Sequence, residues 1–327
     1  MDRLILNIEK RPALETIFSD LESQGMNNAK LIHSKYTFDK GILKFLYKVH
    51  HSRKLNKIFK LPLKKIWDRF CPLLRMQFDE NDEYYVVFIE WAALQYTHEE
   101  LRRLSTHKNV HLCLLLFNPM EGMLIGDSPF KKMFYDVKFE KYFAIFDERD
   151  IKKENFQRIS AIYSKLDEAK LQTDMEESDF FYIGMAKDRQ SKIQDMYRKI
   201  VESGKTADFT IVSPDPSIER VEGIQYLDDF LDYEVYLQHV YKTKCIVELL
   251  QGMQHGMTLR TFEAIVYGKH LLSNNDVIEN VPYYSPEYMH YITEIEDIDI
   301  NNIELTEVDY GYKGEFSPKN LLDQILK

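Results

Sequence analysis

Cysteine is scarce in this chain: there are three in 327 residues, Cys71, Cys113 and Cys245, with no Cys-x-x-Cys spacing among them. That excludes a disulfide framework and a cysteine-built zinc site, and implies buried free thiols in a reducing compartment. Long apolar runs are missing too. No stretch reaches the roughly eighteen residues needed to span a bilayer, and MDRLILNIEK lacks the apolar core of a secretory signal, so a cytoplasmic location is expected. His98, His107, His111 and His239 have no metal-ligand spacing with one another or with the cysteines, and they read as structural or surface histidines. Internal repeats and low-complexity tracts are absent as well.

What is there suits a folded globular protein: 44% of residues are hydrophobic and 29% charged, too apolar for a disordered chain. The length accommodates two domains with a core each, or one large α/β domain. The 21 tyrosines and 20 phenylalanines are chiefly core filling, although such rings also line sugar and nucleobase sites.

Apolar runs alternate with helical stretches. Ala29 to His33, Tyr84 to Ile89, Val110 to Phe117 and Tyr142 to Phe146 read as strands of a first half, with a helix from Thr97 to Thr106 and a short one from Ser128 to Tyr135. Thr97 with Glu100 three residues on has the form of a capping box. After a polar, acidic linker from Leu166 to Ser178, a second half offers strands at Phe180 to Ile183, Phe209 to Val212 and Cys245 to Val247. Helices are expected from Arg189 to Ser203, from Asp232 to Tyr241 and from Ser317 to Leu326. Continuous apolar runs, rather than strict alternation, predict parallel sheets covered on both faces. The domains are placed at 1–170 and 171–327.

Charge is unevenly spread. From Lys30 to Arg75 thirteen Lys/Arg face two acids, Asp39 and Asp68, so this segment is net +11 and the remainder of a chain at -10 is -21. Phe45, Leu46, Val49, Leu63, Ile66 and Trp67 are interleaved with the cations, the pattern of basic amphipathic helices, which lie on anionic membrane surfaces. The same apolar residues also suit the core-facing stripe of ordinary helices with a solvated lysine face. Nucleic acid is not the expected partner, since the segment holds no recognised binding motif and the rest of the chain is acidic.

The most telling stretch runs from Lys244 to Asn275. It reads as strand, glycine-bearing loop, helix and second strand, with Gly252 and Gly256 in the loop and Thr258 as the N-cap. A helix starting there aims free N–H groups and its positive dipole end at whatever the loop holds, and phosphates bind well at such ends. Arg260 and Glu263, three apart, put a cation and a carboxylate on one face. Arg260 is suited to fork onto a diphosphate, and Glu263 to accept hydrogen bonds from sugar or ribose hydroxyls. About seventy residues earlier, Gly184 with Lys187 and Arg189 follows the first strand of the second half, where a glycine lets the backbone approach phosphate and the cations neutralise it.

Gln254, Gly256, Thr258, Arg260, Glu263, Ala264, Gly268, Lys269 and Asn275 together resemble the C-terminal donor site of GT-B glycosyltransferases, above all the bacterial enzymes of capsule, lipopolysaccharide and exopolysaccharide biosynthesis. The resemblance implies an α/β fold of two Rossmann-like domains with parallel sheets facing across a cleft, the last helix packing back on the N-terminal domain. It implies a nucleotide-diphosphate sugar donor held by Gly184, Lys187, Arg189, Thr258, Arg260 and Glu263, and a glycan or glycolipid acceptor on the N-terminal half. No metal or other cofactor is expected, cations and a helix N-terminus taking that role. The paired glutamates eight apart of many retaining members are lacking: His255 and Leu271 stand at those positions, and the stereochemical outcome stays open. An inverting enzyme needs a base for the acceptor hydroxyl, and Glu90, directly after the strand Tyr84 to Ile89, is the candidate, with Trp91 beside it to stack on a sugar. A capping or surface role for Glu90 stands beside that reading, and Asp127 is a second carboxylate of the same kind. A nucleotide-sugar epimerase of this fold, or a non-catalytic glycan- or partner-binding member, fits the same donor residues. Asp297-Ile-Asp299 is read as part of a half-exposed strand.

Overall fold

The computed structural model describes residues 1–23, 26–33, 35–38, 41–52, 55, 62–118, 120–124, 126–145, 156–250 and 256–327. Short apolar runs pair into two six-stranded sheets, one per half. The first has the order β2-β1-β3-β4-β5-β6, from β1 (Asp2–Asn7), β2 (Ala29–Ile32), β3 (Glu83–Ile89), β4 (Val110–Leu116), β5 (Lys141–Ala144) and β6 (Gln157–Arg158). The second is β12-β11-β10-β7-β8-β9, from β7 (Ser178–Met185), β8 (Ala207–Val212), β9 (Gln225–Leu227), β10 (Thr243–Glu248), β11 (His270–Ser273) and β12 (Met289–Tyr291). Every pairing is parallel. Two Rossmann-like domains result.

Strand order locates the places where a ligand belongs. In the second sheet β8 and β9 extend to one side of β7, and β10, β11 and β12 to the other, so the connection reverses between β7 and β10. In the first sheet the reversal lies between β1 and β3. Ligands of open α/β sheets bind outside the carboxyl ends of strands at such switch points.

β1 is the longest of the four strands that the sequence reading passes over, the others being β6, β9 and β12. It is six residues long, opens the chain and has no turn signal before it, yet its register with β2 and β3 puts it inside the sheet, with Leu4, Ile5 and Leu6 buried. The expected helices are close to the observed ones. Thr97 and Glu100 close a capping box at 2.7 and 3.2 Å over the His98–Leu104 helix. Ser128 caps Pro129–Asp136, and Asp232 caps Tyr233–Lys242. The linker read from Leu166 to Ser178 holds one helical turn, Glu168–Leu171, with Leu171 buried. The Asp297–Asp299 stretch is not a strand: Asp299 caps the short Ile300–Asn302 turn, accepting from Asn301 N at 3.0 Å. Phe146, the expected end of a strand, lies outside the described residues.

Apolar clusters cover the outer face of each sheet, and a third is continuous between them, running from Leu4, Leu6 and Phe143 to Ile246, Phe262 and Leu271. The segment joining the halves threads this shared core. Tyr163 and Ser164 are buried, and Ser164 hydrogen-bonds Ile17 O through both N–H (3.0 Å) and Oγ (2.7 Å). The terminal Leu321–Leu326 helix lies against β1; Lys141 Nζ donates to Ile325 O at 2.6 Å, and Gln324 Oε1 accepts from Ser160 N and Oγ at 2.7 Å.

The basic segment divides. Lys35 is buried and paired with Glu100 at 2.5 Å, and Trp67 is buried with its indole N–H donating to His50 Nδ1 at 2.8 Å. The Gly41–His50 helix, by contrast, buries none of its residues. Lys40, Arg53, Lys54, Lys57 and Lys60, with Asp39, Ile58, Phe59 and Leu61, lie outside the described residues. All three cysteines are free and buried.

Candidate functional site

The carboxyl end of β10 leads into the glycine-bearing loop. Gly252, Gln254 and His255 fall outside the described residues, but Gly256 has φ +93°, a left-handed conformation that favours glycine, and Asn275 Nδ2 holds its carbonyl at 2.8 Å. Thr258 is the N-cap of the Leu259–Tyr267 helix: its Oγ1 accepts from Arg260 N at 3.1 Å while Thr261 Oγ1 accepts from Thr258 N at 3.4 Å. Gly268, φ +60°, ends the helix in the left-handed cap.

Two arginines converge on the switch point. Arg260 sits over the Tyr182 ring, 5.5 Å from its centroid, and donates to Ile183 O. Arg189, at the head of the Gln190–Glu202 helix, donates to Leu249 O and, at 3.3 Å, to Met185 O. Burial pulls the Arg189 guanidinium below its usual pKa. For Arg260 burial works the same way but is outweighed by Tyr236, Tyr182, Glu248 and Glu263, which hold its charge in place. The Tyr182 hydroxyl is buried with no hydrogen-bond partner, and the two guanidiniums are the charges nearest it. Lys187 is exposed, with φ +44°.

Gly184 requires a correction. It lies inside β7 rather than in the turn beyond it, and is buried. A Cβ there would stand 2.5 Å from the Tyr182 hydroxyl and 3.3 Å from an Arg189 Nη. Its missing side chain makes room for the Tyr182 hydroxyl beside Arg189.

Glu263 is fully buried, and both its oxygens are taken: Tyr233 OH donates to Oε1 at 2.7 Å and Tyr236 OH to Oε2. Tyr163, from the segment between the halves, adds a third hydroxyl 3.0 Å from that of Tyr233. Burial raises the Glu263 carboxyl above the usual range, against the tyrosine hydrogen bonds and Arg260. In this conformation Glu263 braces the wall behind Arg260; contact with a sugar requires a tyrosine to release it.

Sequence reasoning missed Glu248. This fully buried carboxylate at the end of β10 accepts from Thr258 Oγ1 through one oxygen and from Ser273 Oγ through the other. It ties the N-cap to two strands. The available signal was a lone acid closing the apolar run Cys-Ile-Val, a position that needs a partner.

Glu90 stands at the switch point of the first sheet, the first residue after β3, in a left-handed conformation with φ +43°. Its carboxylate is buried and accepts from Phe117 N (2.7 Å), Asn118 N and Asn118 Nδ2 (2.9 Å). Burial raises its pKa against those bonds. Glu90 thus clamps the turn after β4, and Trp91 packs edge-on against Phe130 at 5.3 Å. Asp127 is exposed. His111 is bracketed by Glu140 and Glu83 at 2.7 and 2.8 Å, and His239 pairs with Asp208 at 2.5 Å. Among the described residues no group of three or more His, Cys, Asp or Glu could hold a metal ion, and no helix is long and apolar enough to cross a membrane.

The two parallel, doubly wound sheets make two Rossmann-like domains in a GT-B-like arrangement, with a helix N-cap and two arginines at the second switch point. No protein-family model and no curated protein matches this chain. Solved structures similar to it include a UDP-forming α,α-trehalose-phosphate synthase from Burkholderia xenovorans (9% identity, 90% of this chain and 89% of that one, TM-score 0.48). Others are the spinosyn forosaminyltransferase SpnP (10%, 99% and 92%, TM-score 0.40) and the glycosyltransferase SnogD from Streptomyces nogalater (10%, 91% and 88%, TM-score 0.40).

Proposed function

We propose that this protein transfers a sugar from a nucleotide-diphosphate donor onto a growing, lipid-linked bacterial surface glycan at the inner face of the cell membrane. The observation that carries the reading is the convergence of Arg189 and Arg260 around Tyr182 beside the Thr258-capped helix, at the switch point between β7 and β10. A diphosphate there gains two guanidiniums, the exposed Lys187 and the positive end of the helix dipole, and exchanges the carbonyls of Ile183, Met185 and Leu249 for phosphate oxygens as arginine partners. The same cations stabilise the departing diphosphate, so the reaction runs without a metal and survives chelator. Glu263 and Glu248 hold Arg260 and Thr258 in place. On the acceptor side Glu90 is a buried carboxylate at the carboxyl end of β3, its raised pKa suited to taking a hydroxyl proton once Asn118 moves.

One observation favours the non-catalytic reading: both arginines and Glu263 are satisfied by internal partners. Thermal unfolding against UDP, GDP, TDP and CMP sugars decides between them. A ligand at a hundred times its Kd stabilises by about 2.7 kcal/mol. The transferase reading expects that shift with one nucleotide class, weakened in Lys187→Gln and absent in Arg260→Ala. No shift with any nucleotide leaves the non-catalytic reading.

A further inference from the structure

The Gly41–His50 helix leaves the carboxyl end of the edge strand β2, the end of the first sheet at which Glu90 also lies. Its sequence, GILKFLYKVH, contains no acid. Two apolar stripes run along it. Leu43, Tyr47 and His50 are the half-buried one, and Tyr47 lies against Tyr36, Phe38 and Trp67 with ring centroids 4.7, 5.3 and 5.5 Å away. Ile42, Phe45, Leu46 and Val49, at i, i+3, i+4 and i+7, form the other, and they are 66, 63, 48 and 36% exposed. An aromatic shelf therefore seats the helix while a full stripe of large apolar side chains stays in water. Lys44 and Lys48, both exposed, lie one turn apart on its flank. The neighbouring Lys64–Phe70 turn adds Leu63 at 74% and Ile66 at 47%, with Lys65 in a wholly surface pair with Glu99 at 3.2 Å.

Leaving that stripe exposed is costly unless something covers it. Charge narrows the choice of cover. A second copy of this chain brings a surface that is -21 outside the segment from Lys30 to Arg75, but it brings the same +11 segment as well. An anionic bilayer is negative everywhere and receives apolar side chains below its charged layer. We propose that the Gly41–His50 helix is an interfacial helix that seats Ile42, Phe45, Leu46 and Val49 in an anionic lipid bilayer, with Lys44 and Lys48 at the headgroups. This rests on the proposed function only for its lipid-linked acceptor; docking itself requires no nucleotide. The helix holds the carboxyl end of the first sheet close to the bilayer, so an acceptor arrives by lateral diffusion in the membrane.

Flotation with vesicles tests this on the full chain. With phosphatidylcholine and phosphatidylglycerol in equal parts the protein is expected to float; with phosphatidylcholine alone it stays in the pellet fraction. The double variant Phe45→Glu/Leu46→Glu should abolish flotation, and Lys44→Gln and Lys48→Gln should each weaken it roughly fivefold. All four residues are exposed, so unfolding midpoints equal to the parent's show the fold intact. Flotation of Phe45→Glu/Leu46→Glu at the parent level overturns the assignment to this helix. Failure of the parent on both vesicles, with a dimer in light scattering that the double variant dissolves, assigns the stripe to a second copy. A nucleotide-induced thermal shift without flotation sinks the docking inference alone; flotation without a shift sinks the donor site alone.

Discussion

Two amphipathic helices of nearly equal length meet opposite fates in this protein. Leu259–Tyr267 buries Thr261, Phe262, Glu263, Ala264, Ile265 and Val266; Gly41–His50 buries nothing. Periodicity makes both helices and is silent on what covers them. The first lies between two sheets, where every polar group must find an internal partner, and even its carboxylate is held by two tyrosines. The second rests on one aromatic shelf and leaves its other face exposed.

The comparison breaks most visibly at a phenylalanine on each helix. Phe262→Ala, fully buried and in contact with Phe316 at 5.5 Å, should cost about 3–5 kcal/mol in urea unfolding. Phe45→Ala should stay within about 0.5 kcal/mol. Equal costs would mean that Gly41–His50 is packed in solution. Removing a charge from the buried helix comes next: Glu263→Ala strands Arg260 and two tyrosine hydroxyls and should cost about 3 kcal/mol, whereas Tyr233→Phe, which leaves Tyr236 in place, should cost about 1 kcal/mol. Nucleotide-induced stabilisation measured on Tyr233→Phe sharpens the point, since freeing one Glu263 oxygen changes donor affinity only if Glu263 turns towards the ligand.

The smallest expected effect is a pH dependence beside the buried helix. His290 stacks on His270 at 5.7 Å, and burial, with His270 adding to it, pulls its pKa from 6.5 to about 4. The native state keeps it neutral while the unfolded chain protonates, so stability is full above about pH 6.5 and falls as the pH drops towards 4. Allowing for its partial exposure, the loss is on the order of 2 kcal/mol. His290→Gln should flatten the slope of unfolding free energy between pH 6.5 and 4; an unchanged slope assigns it to other groups.

Much of the fold was legible because its signals are local. Thr97, Ser128, Asp232, Thr258 and Ser317 each cap a helix through an N–H two or three residues ahead. The runs at Tyr84, Val110, Phe180 and Cys245 are too apolar to be anything but buried strands. β1 escaped notice, and so did β6, β9 and β12, which are only two or three residues long and carry no periodic signal. At the site, Thr258 was readable as a helix N-cap, with Arg260 and Arg189 as cations placed by the strand ends, while Gly184 was read as a loop glycine because a strand's last residues look no different from the turn after it. The roles of Glu90, Glu248 and Glu263 were not readable, since a carboxylate declares its role only through what donates to it.

The sequence by itself determined the longer helices, the inner strands, their caps and the parallel character of both sheets, because those follow from side chains within a turn or two of one another. Tertiary structure alone decided the strand order that sets Arg260 against Ile183, seventy-seven residues away, and Glu90 against Asn118, twenty-eight away. It also decided which amphipathic stripe is sealed and which is left exposed. Burial is a property of what the rest of the chain brings to a surface, and no window of sequence contains that.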